Sequence, residues 1–210
     1  MYTRAFWDTI YRKHFSDAPW MSEEWAKGGI RLLEEFISPV PNNGCLLDYG
    51  CGKALISDYF MQKGYNIELA DISDELVKKW LDVRHDNVPI YQVDSPAMIP
   101  GNNKYDYIIA WGLFHHIIPD LWETFLDSFF RLMKTNALLL ISGWDDSDDI
   151  LHKEEKLGRF TQQPVWFINK LDDILKCKKK IEVVESKVVP FKLKPFSQER
   201  MIRLIVTKKI

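Results

Sequence analysis

The sequence predicts an α/β protein with a mostly parallel sheet, helices on both faces of that sheet, and a helical segment in front of it. The first observation behind this fold class is that short apolar runs alternate with segments of helical periodicity between residues 45 and 142. The second is that the apolar run at 45–49 enters a turn containing Gly50 and Gly52 and leaves it as a helix. This order places backbone N–H groups and the positive end of a helix at one point, where an acidic group can bind.

Length and composition indicate one soluble domain. The chain has 210 residues, of which 46% are hydrophobic and 28% charged, as in ordinary globular proteins. A formal net charge of -2 gives no general attraction to nucleic acid or to an anionic membrane. Cys45, Cys51 and Cys177 form neither a disulfide framework nor a C-x-x-C motif, which favours a reducing, cytoplasmic setting. We expect no signal peptide, no membrane span, and a monomer or homodimer.

The first 43 residues predict a helical cap. Apolar residues recur at helical spacing between residues 3 and 15, and Ser22 followed by two glutamates is typical of a helix start. The second helix is predicted to end near Ile37, because Pro39 and Pro41 prevent its continuation.

From Cys45 onward, strands and helices are predicted to alternate. Apolar runs predict strands, and amphipathic segments that follow a polar cap or precede a glycine predict helices. The strands are expected at 45–49, 65–70, 89–93, 105–111 and 137–142, and the helices between them at 54–63, 73–83 and 120–133. A helix near 166–177 then precedes strand-like stretches at 181–189 and 201–208, which predict a closing hairpin at the sheet edge.

Carboxylates mark the ends of successive strands. Asp48 lies two residues before Gly50, and Asp71 and Asp94 end the next two predicted strands. In open α/β sheets, ligands bind beyond the carboxyl ends of the strands. Asp71 lies 21 residues beyond Gly50, the separation at which a carboxylate on the second strand reaches a ribose. A nicotinamide-dinucleotide fingerprint is disfavoured, since Leu55 holds its third glycine position.

These segments resemble the motifs of class I S-adenosylmethionine-dependent methyltransferases of the small-molecule type. Residues 47–52 are similar to the first motif, 69–73 to the second strand end, and 92–94 to the segment whose acidic residue contacts adenine. Residues 105–117 are similar to the fourth motif and the segment after it, and 132–141 to the helix end and fifth strand. The resemblance implies a Rossmann-like fold with a seven-stranded, mostly parallel sheet and an antiparallel C-terminal hairpin strand.

The resemblance also implies S-adenosyl-L-methionine as the cofactor of a single domain, 1–210. Its parts would be a helical cap (1–43), a cofactor-binding half (44–143), and a substrate-side lid with the closing strands (144–210). Ala54 stands where the family often has a third glycine, and alanine is small enough for the cofactor to bind. The implied cofactor-binding residues are Asp48, Gly50, Cys51, Gly52, Asp71, Ile72, Asp94, Ser95 and Trp111.

His115 and His116 are the candidate catalytic bases, because the ordinary pKa of histidine suits proton transfer near neutral pH. Packing or hydrogen-bonding roles for both histidines are the favoured interpretation, and at most one of them is expected to face the substrate. The predicted substrate pocket comprises Tyr11, Trp20, His116 and Trp144, with Trp7 as a further candidate. No spacing demands a metal, and the aspartates at 145, 146, 148 and 149 are interpreted as a solvated acidic loop. A metal or a cationic substrate at that loop is the alternative.

The expected function is methyl transfer by in-line displacement to an oxygen, nitrogen or sulfur nucleophile of a small molecule. A nucleic-acid substrate is disfavoured, because Trp111-Gly112-Leu113-Phe114 stands where amino-methylating nucleic-acid enzymes carry Asn/Asp-Pro-Pro-Tyr/Phe. One alternative is a non-catalytic module that binds adenosylmethionine or adenosylhomocysteine and serves a partner protein. The other is a nicotinamide-dependent oxidoreductase, which Leu55 and the closing strand pair disfavour.

Overall fold

The computed structural model describes residues 3–15, 18–37, 44–83, 87–149, 165–192 and 199–210. Two sequence expectations fall outside these ranges. They are the prolines at 39 and 41 that were to end the second helix, and the part of the substrate-side lid between 150 and 164.

Seven strands form one sheet in the order β3-β2-β1-β4-β5-β7-β6. Strands β1 to β5 pair in parallel, whereas β7 runs antiparallel to both β5 and β6. The predicted fold class, a mostly parallel sheet with a closing antiparallel hairpin, is therefore confirmed. The strands are β1 (Cys45–Tyr49), β2 (Asn66–Asp71), β3 (Ile90–Gln92), β4 (Tyr105–Ala110), β5 (Met133–Trp144), β6 (Ile181–Lys192) and β7 (Glu199–Lys209).

Helices cover both faces of this sheet. The described α-helices are α1 (Arg4–His14), α2 (Glu23–Leu33), α3 (Leu55–Gln62), α4 (Asp74–Val83), α5 (Trp122–Leu132) and α6 (Leu171–Lys176). Successive strand residues point to opposite faces, so Leu46 packs in one core with α2, α3 and α4 while Leu47 packs in the other with α5 and α6. Within the part of the chain that the structure describes, no helix has the length and apolarity needed to cross a membrane.

Most element ends agree with the predictions to within a few residues, but the helix expected near 166–177 is α-helical only over Leu171–Lys176, after a 3-10 turn at Ile168–Lys170. Two strands also differ. Strand β5 begins at Met133 rather than 137, because it pairs with β4 from its first residue. Strand β6 extends through Pro190, which is compatible with a strand because β6 forms the edge of the sheet.

The cap helix α1 is attached to the start of α4, directly after Asp71. The carboxylate of Asp8 accepts hydrogen bonds from the Ser73 hydroxyl at 2.6 Å and from the Glu75 backbone N–H at 3.1 Å. An acidic group from α1 thereby satisfies one backbone donor at the positive end of α4 and binds the Ser73 hydroxyl beside it. The cap therefore lies over the carboxyl edge of the sheet, where the predicted site residues are.

Candidate cofactor and substrate site

The glycine turn after β1 lies between β2 and the segment that follows β4. The backbone N–H groups of Gly50 and Cys51 both donate to the carbonyl of Ala70, at 2.8 and 3.2 Å. Gly50 has φ of +78°, and a Cβ there would lie 3.2 Å from Leu113 Cδ1. This position therefore requires glycine for its conformation, and a side chain would meet Leu113.

Ala54 also adopts a left-handed conformation, with φ of +54°. Such a conformation costs a non-glycine residue about 1–2 kcal/mol. The backbone at this position thus favours the glycine that the family often has, and the chain tolerates alanine at some cost in stability.

Asp48 is directed at helix α3. Its carboxylate is buried and accepts a hydrogen bond from the Ser57 hydroxyl at 2.5 Å. Burial raises the pKa of Asp48 to about 7, with nearby Asp71 adding to the rise and the Ser57 bond opposing it. The observed contact joins the strand before the glycine turn to the helix after it.

Asp71 ends β2 and faces the glycine turn. One carboxylate oxygen accepts a hydrogen bond from the backbone N–H of Gly52 at 3.3 Å, and the other from that of Ser73 at 3.0 Å. Burial raises the pKa of Asp71 to about 6, and these backbone bonds oppose the rise. Since a carboxylate offers about four acceptor positions, these bonds leave it able to accept from a ligand hydroxyl as well. The residues present therefore fit the ribose of a nucleoside cofactor.

The remaining strand-end residues are placed as follows. The Ile72 carbonyl accepts a hydrogen bond from Gln92 Nε2 at 2.9 Å. Asp94 is exposed and binds Arg4 of the cap helix at 2.8 Å, so α1 also contacts the predicted adenine-binding residue. Ser95 begins a short turn in which its hydroxyl accepts from the Ala97 N–H at 3.2 Å.

Trp111, after β4, is buried against the cap. Its ring centroid lies 6.0 Å from that of Trp25 on α2 and 5.9 Å from that of Phe191 on β6. Among the described residues, none accepts a hydrogen bond from its indole N–H. The ring is therefore packed against α2 and β6.

The predicted aromatic pocket residues separate into two groups. The ring of Trp7, in the cap, contacts three other rings. The distances between ring centroids are 5.9 Å to Tyr11, 6.4 Å to Trp20 and 5.0 Å to His116. Trp144 instead lies 5.3 Å from His115. The two histidine rings are 4.0 Å apart and connect the groups. Tyr11 also lies near the carboxylate of Asp71, which adds to the rise that burial causes in the tyrosine pKa.

His115 and His116 belong to a short 3-10 turn after β4. Burial lowers the pKa of both side chains, that of His116 to about 3, so both imidazoles are neutral at pH 7. A base works best when its pKa lies near the working pH, and a histidine with a pKa near 3 binds a proton only weakly. This environment weakens the sequence-based prediction that either histidine acts as a general base.

The acidic loop after β5 differs from expectation. Asp146 and Asp149 are exposed, as predicted, but Asp145 and Asp148 are almost fully buried. Asp145 binds Arg203 at 2.7 Å and Asp148 binds Arg200 at 2.9 Å, both arginines being on β7. The interpretation of this loop as wholly solvated is therefore wrong. Within the described ranges, there is no group of three or more His, Cys, Asp or Glu side chains that could hold a metal ion.

Sequence reasoning missed the two arginines. Burial acts to raise the pKa of Asp145, and hydrogen bonds from Ser147 and from Arg203 lower it below its ordinary value. The available signal was that Arg200 and Arg203 flank the apolar start of the last predicted strand, in a chain with four aspartates between residues 145 and 149.

Comparisons with known proteins agree with this geometry. A family model described as a methyltransferase domain matches residues 18–173. No curated protein matches the sequence at a significant level.

Several solved structures share the fold at low sequence identity. A Burkholderia thailandensis 1,6-didemethyltoxoflavin-N1-methyltransferase, with that molecule and S-adenosylhomocysteine bound, superposes with a TM-score of 0.72 at 18% identity, covering 98% of this chain and 88% of its own. A methyltransferase from Anabaena variabilis gives 0.72 at 16% identity, covering 99% and 95%. The magnesium protoporphyrin IX methyltransferase of Synechocystis gives 0.65 at 17%, covering 98% and 93%. The chain therefore belongs to the methyltransferase domain family and has the fold of class I S-adenosylmethionine-dependent methyltransferases.

Proposed function

We propose that this methyltransferase transfers the methyl group of S-adenosyl-L-methionine to a small organic acceptor. The observation that carries the proposal is the placement of the cap over Asp71. Helix α1 is attached beside that carboxylate through Asp8, and its Trp7 ring contacts His116 5.0 Å away. A site covered in this way accommodates a compact acceptor and excludes bulk water.

The cofactor, when bound, supplies a methyl group on a sulfonium that is already a good leaving group. The residues of this chain then have to bind the cofactor, align the acceptor with the methyl group and shield both from water. The Asp71 carboxylate can accept from a ribose hydroxyl in addition to its backbone bonds, and the Gly50–Gly52 turn lets the backbone approach the ligand closely. Asp94 is the candidate partner of the adenine amine, and Arg4 shares its carboxylate.

A small acceptor is supported by three properties. The net charge of -2 provides no cationic surplus for nucleic acid. The aromatic rings of Trp7, Trp20 and Trp144 supply flat apolar walls around the histidine pair. The names of two structurally similar methyltransferases include a small molecule, 1,6-didemethyltoxoflavin in one and magnesium protoporphyrin IX in the other. We also propose a cytoplasmic location and a monomeric or homodimeric state, on composition alone.

The neutral state of the histidines favours a positioning role over a basic one. His116 presents a neutral ring next to Trp7, so it can align an acceptor by packing or by one hydrogen bond. An acceptor that is already nucleophilic, such as a thiolate, an amine or an ionised hydroxyl, needs no protein base.

The test is calorimetric titration of the purified chain with S-adenosylmethionine and, separately, with S-adenosylhomocysteine, with NAD as the control. Micromolar binding of the first two and none of NAD is the expected result. Release of S-adenosylhomocysteine is then measured with a panel of small hydroxyl, thiol and amine acceptors. Binding of neither adenosyl compound contradicts the cofactor site. Binding without turnover on any acceptor supports the non-catalytic module instead.

A further inference from the structure

A buried arginine at the start of β7 carries a hydrogen-bond donor that the described protein does not use. Only 5% of the Arg200 side chain is exposed. Its Nε donates to both carboxylate oxygens of Asp148, at 2.9 and 3.2 Å, and its guanidinium carbon lies 4.7 Å from the centre of the Trp144 ring. Its Nη2 group finds no acceptor anywhere in the described part of the chain.

A second unused group lies on the same tryptophan. The His115 ring is 5.3 Å from the Trp144 ring, and its Nδ1 has no hydrogen-bond partner among the residues placed by the structure. His115 is buried, with 5% of its surface exposed. Both side chains therefore contact the same ring, since the guanidinium carbon of Arg200 lies 4.7 Å and the His115 ring 5.3 Å from the centre of the Trp144 ring.

The topology places this pair at the predicted substrate edge. Strand β7 runs antiparallel to β5, and Ile202 pairs with Trp144, so the start of β7 lies at the carboxyl end of β5. His115 follows β4, whose carboxyl end lies at the same edge. Arg200 therefore lies near the turn that contains His115 and His116, and His116 contacts Trp7 of the cap.

Buried donors in native proteins are nearly always satisfied, and the exceptions need a specific explanation. Asp148 accepts from the Nε of the Arg200 guanidinium, and Nη2 has no acceptor among the described residues. A hydrogen bond from a charged guanidinium to a carboxylate is stronger than a hydrogen bond between neutral groups. A neutral imidazole with its proton on Nδ1 adds one donor to the same ligand.

We propose that Arg200 Nη2 and His115 Nδ1 bind a carboxylate of the methyl acceptor, which makes the acceptor a small organic acid. This inference rests on the proposed function and specifies its substrate class. Two other groups could occupy the position next to Nη2 instead of a carboxylate: an ordered water molecule or a neutral carbonyl group.

The test is calorimetric binding to the chain saturated with S-adenosylhomocysteine. The probes are aliphatic, aromatic and heteroaromatic carboxylic acids, each paired with its carboxamide, and benzoate with benzamide is the simplest pair. Arg200→Lys keeps the charge next to Asp148 but removes Nη2. The double variant Arg200→Gln with Asp148→Asn removes both charges, so that no buried charge is left unpaired. Arg203→Lys on the same strand is the matched control, because the Arg203 guanidinium donates to Asp145 and Asp172.

At least one acid is expected to bind wild-type protein about 10-fold or more tightly than its carboxamide. That advantage should disappear in Arg200→Lys and in the double variant, and it should persist within about 3-fold in Arg203→Lys. The inference is overturned if no acid binds, if acid and carboxamide bind equally, or if Arg200→Lys leaves the preference intact. Failure of wild-type protein to bind S-adenosylhomocysteine is a separate result, since it overturns the proposed function and this inference with it.

Discussion

The carboxylate of Asp71 accepts a hydrogen bond from the backbone N–H of Gly52 at 3.3 Å, which joins the end of β2 to the glycine turn after β1. Its second oxygen is held by Ser73 at 3.0 Å. Two backbone groups from different loops thus fix the carboxylate before any ligand binds. The proposed cofactor site is built on this relationship between neighbouring parallel strands.

Replacing Asp71 by alanine should weaken S-adenosylhomocysteine binding by about 10-fold or more. The reason is that hydrogen bonds to a charged group contribute about 1.5–3 kcal/mol each, and 1.4 kcal/mol corresponds to a factor of ten. Titration calorimetry measures the change. Asp82→Ala, at an exposed position on α4, is the control and should leave the affinity unchanged. Equal affinities for wild type and Asp71→Ala would show that this carboxylate does not contact the ligand.

Replacing His116 by glutamine should leave S-adenosylhomocysteine affinity within about 3-fold and reduce turnover by less than about 10-fold. A histidine whose pKa is lowered to about 3 contributes little as a base, whereas loss of a working base costs about 100- to 10,000-fold. The measurement is kcat/KM between about pH 5 and pH 9 for both proteins. A wild-type inflection near pH 6.5 that is absent from the variant would restore His116 as the base.

Replacing Asp48 by asparagine should change the pH dependence of stability. Burial raises the pKa of Asp48 from 3.8 to about 7, so between these values the folded state binds a proton that the unfolded state does not. The free energy of unfolding of wild type should therefore fall, relative to Asp48→Asn, as the pH rises from about 4 to about 7. At 1.36 kcal/mol per pKa unit, the total is at most about 4 kcal/mol.

Urea unfolding at about pH 5 and pH 8 measures this difference. Asparagine keeps an acceptor for the Ser57 hydroxyl, so packing around position 48 is conserved. Asp82→Asn is the control, because it shows how the loss of an exposed aspartate changes the pH dependence of stability. If wild type and Asp48→Asn lose stability in parallel over this range, the carboxylate is already ionised in the folded protein and its pKa is not raised.

Replacing Gly112 by alanine should destabilise the chain more than the same change at Gly64. Both glycines have positive φ, +66° and +92°, so both substitutions incur the left-handed cost of about 1–2 kcal/mol. A Cβ at Gly112 would also lie 2.9 Å from Trp25 Cζ2, whereas nothing lies within 4 Å of one at Gly64. Overpacking of this kind adds about 1–3 kcal/mol. Equal urea midpoints for the two variants would show that α2 does not pack on this turn.

Much of the fold was predictable because its signals are local. Alternating apolar runs and amphipathic segments identified the strands and helices. The two strand-like stretches after Lys180 identified the closing hairpin. The Gly50–Gly52 turn and the position of Asp71 were equally visible, since both depend on spacing along the chain. Element ends shifted where pairing extended a strand, as at Met133.

The sequence by itself determined the order of elements, the glycine turn and the carboxylate that follows β2, because periodicity and short spacings carry this information. Only the tertiary structure decided how the charged side chains pair and which titratable groups lose water. Arg200 and Asp148 are 52 residues apart along the chain and meet only because β7 pairs antiparallel with β5. His116 loses its basicity because the surrounding fold, with Trp7 of the cap against its ring, excludes water from it. Desolvation depends on which distant elements pack together, and no local pattern records it.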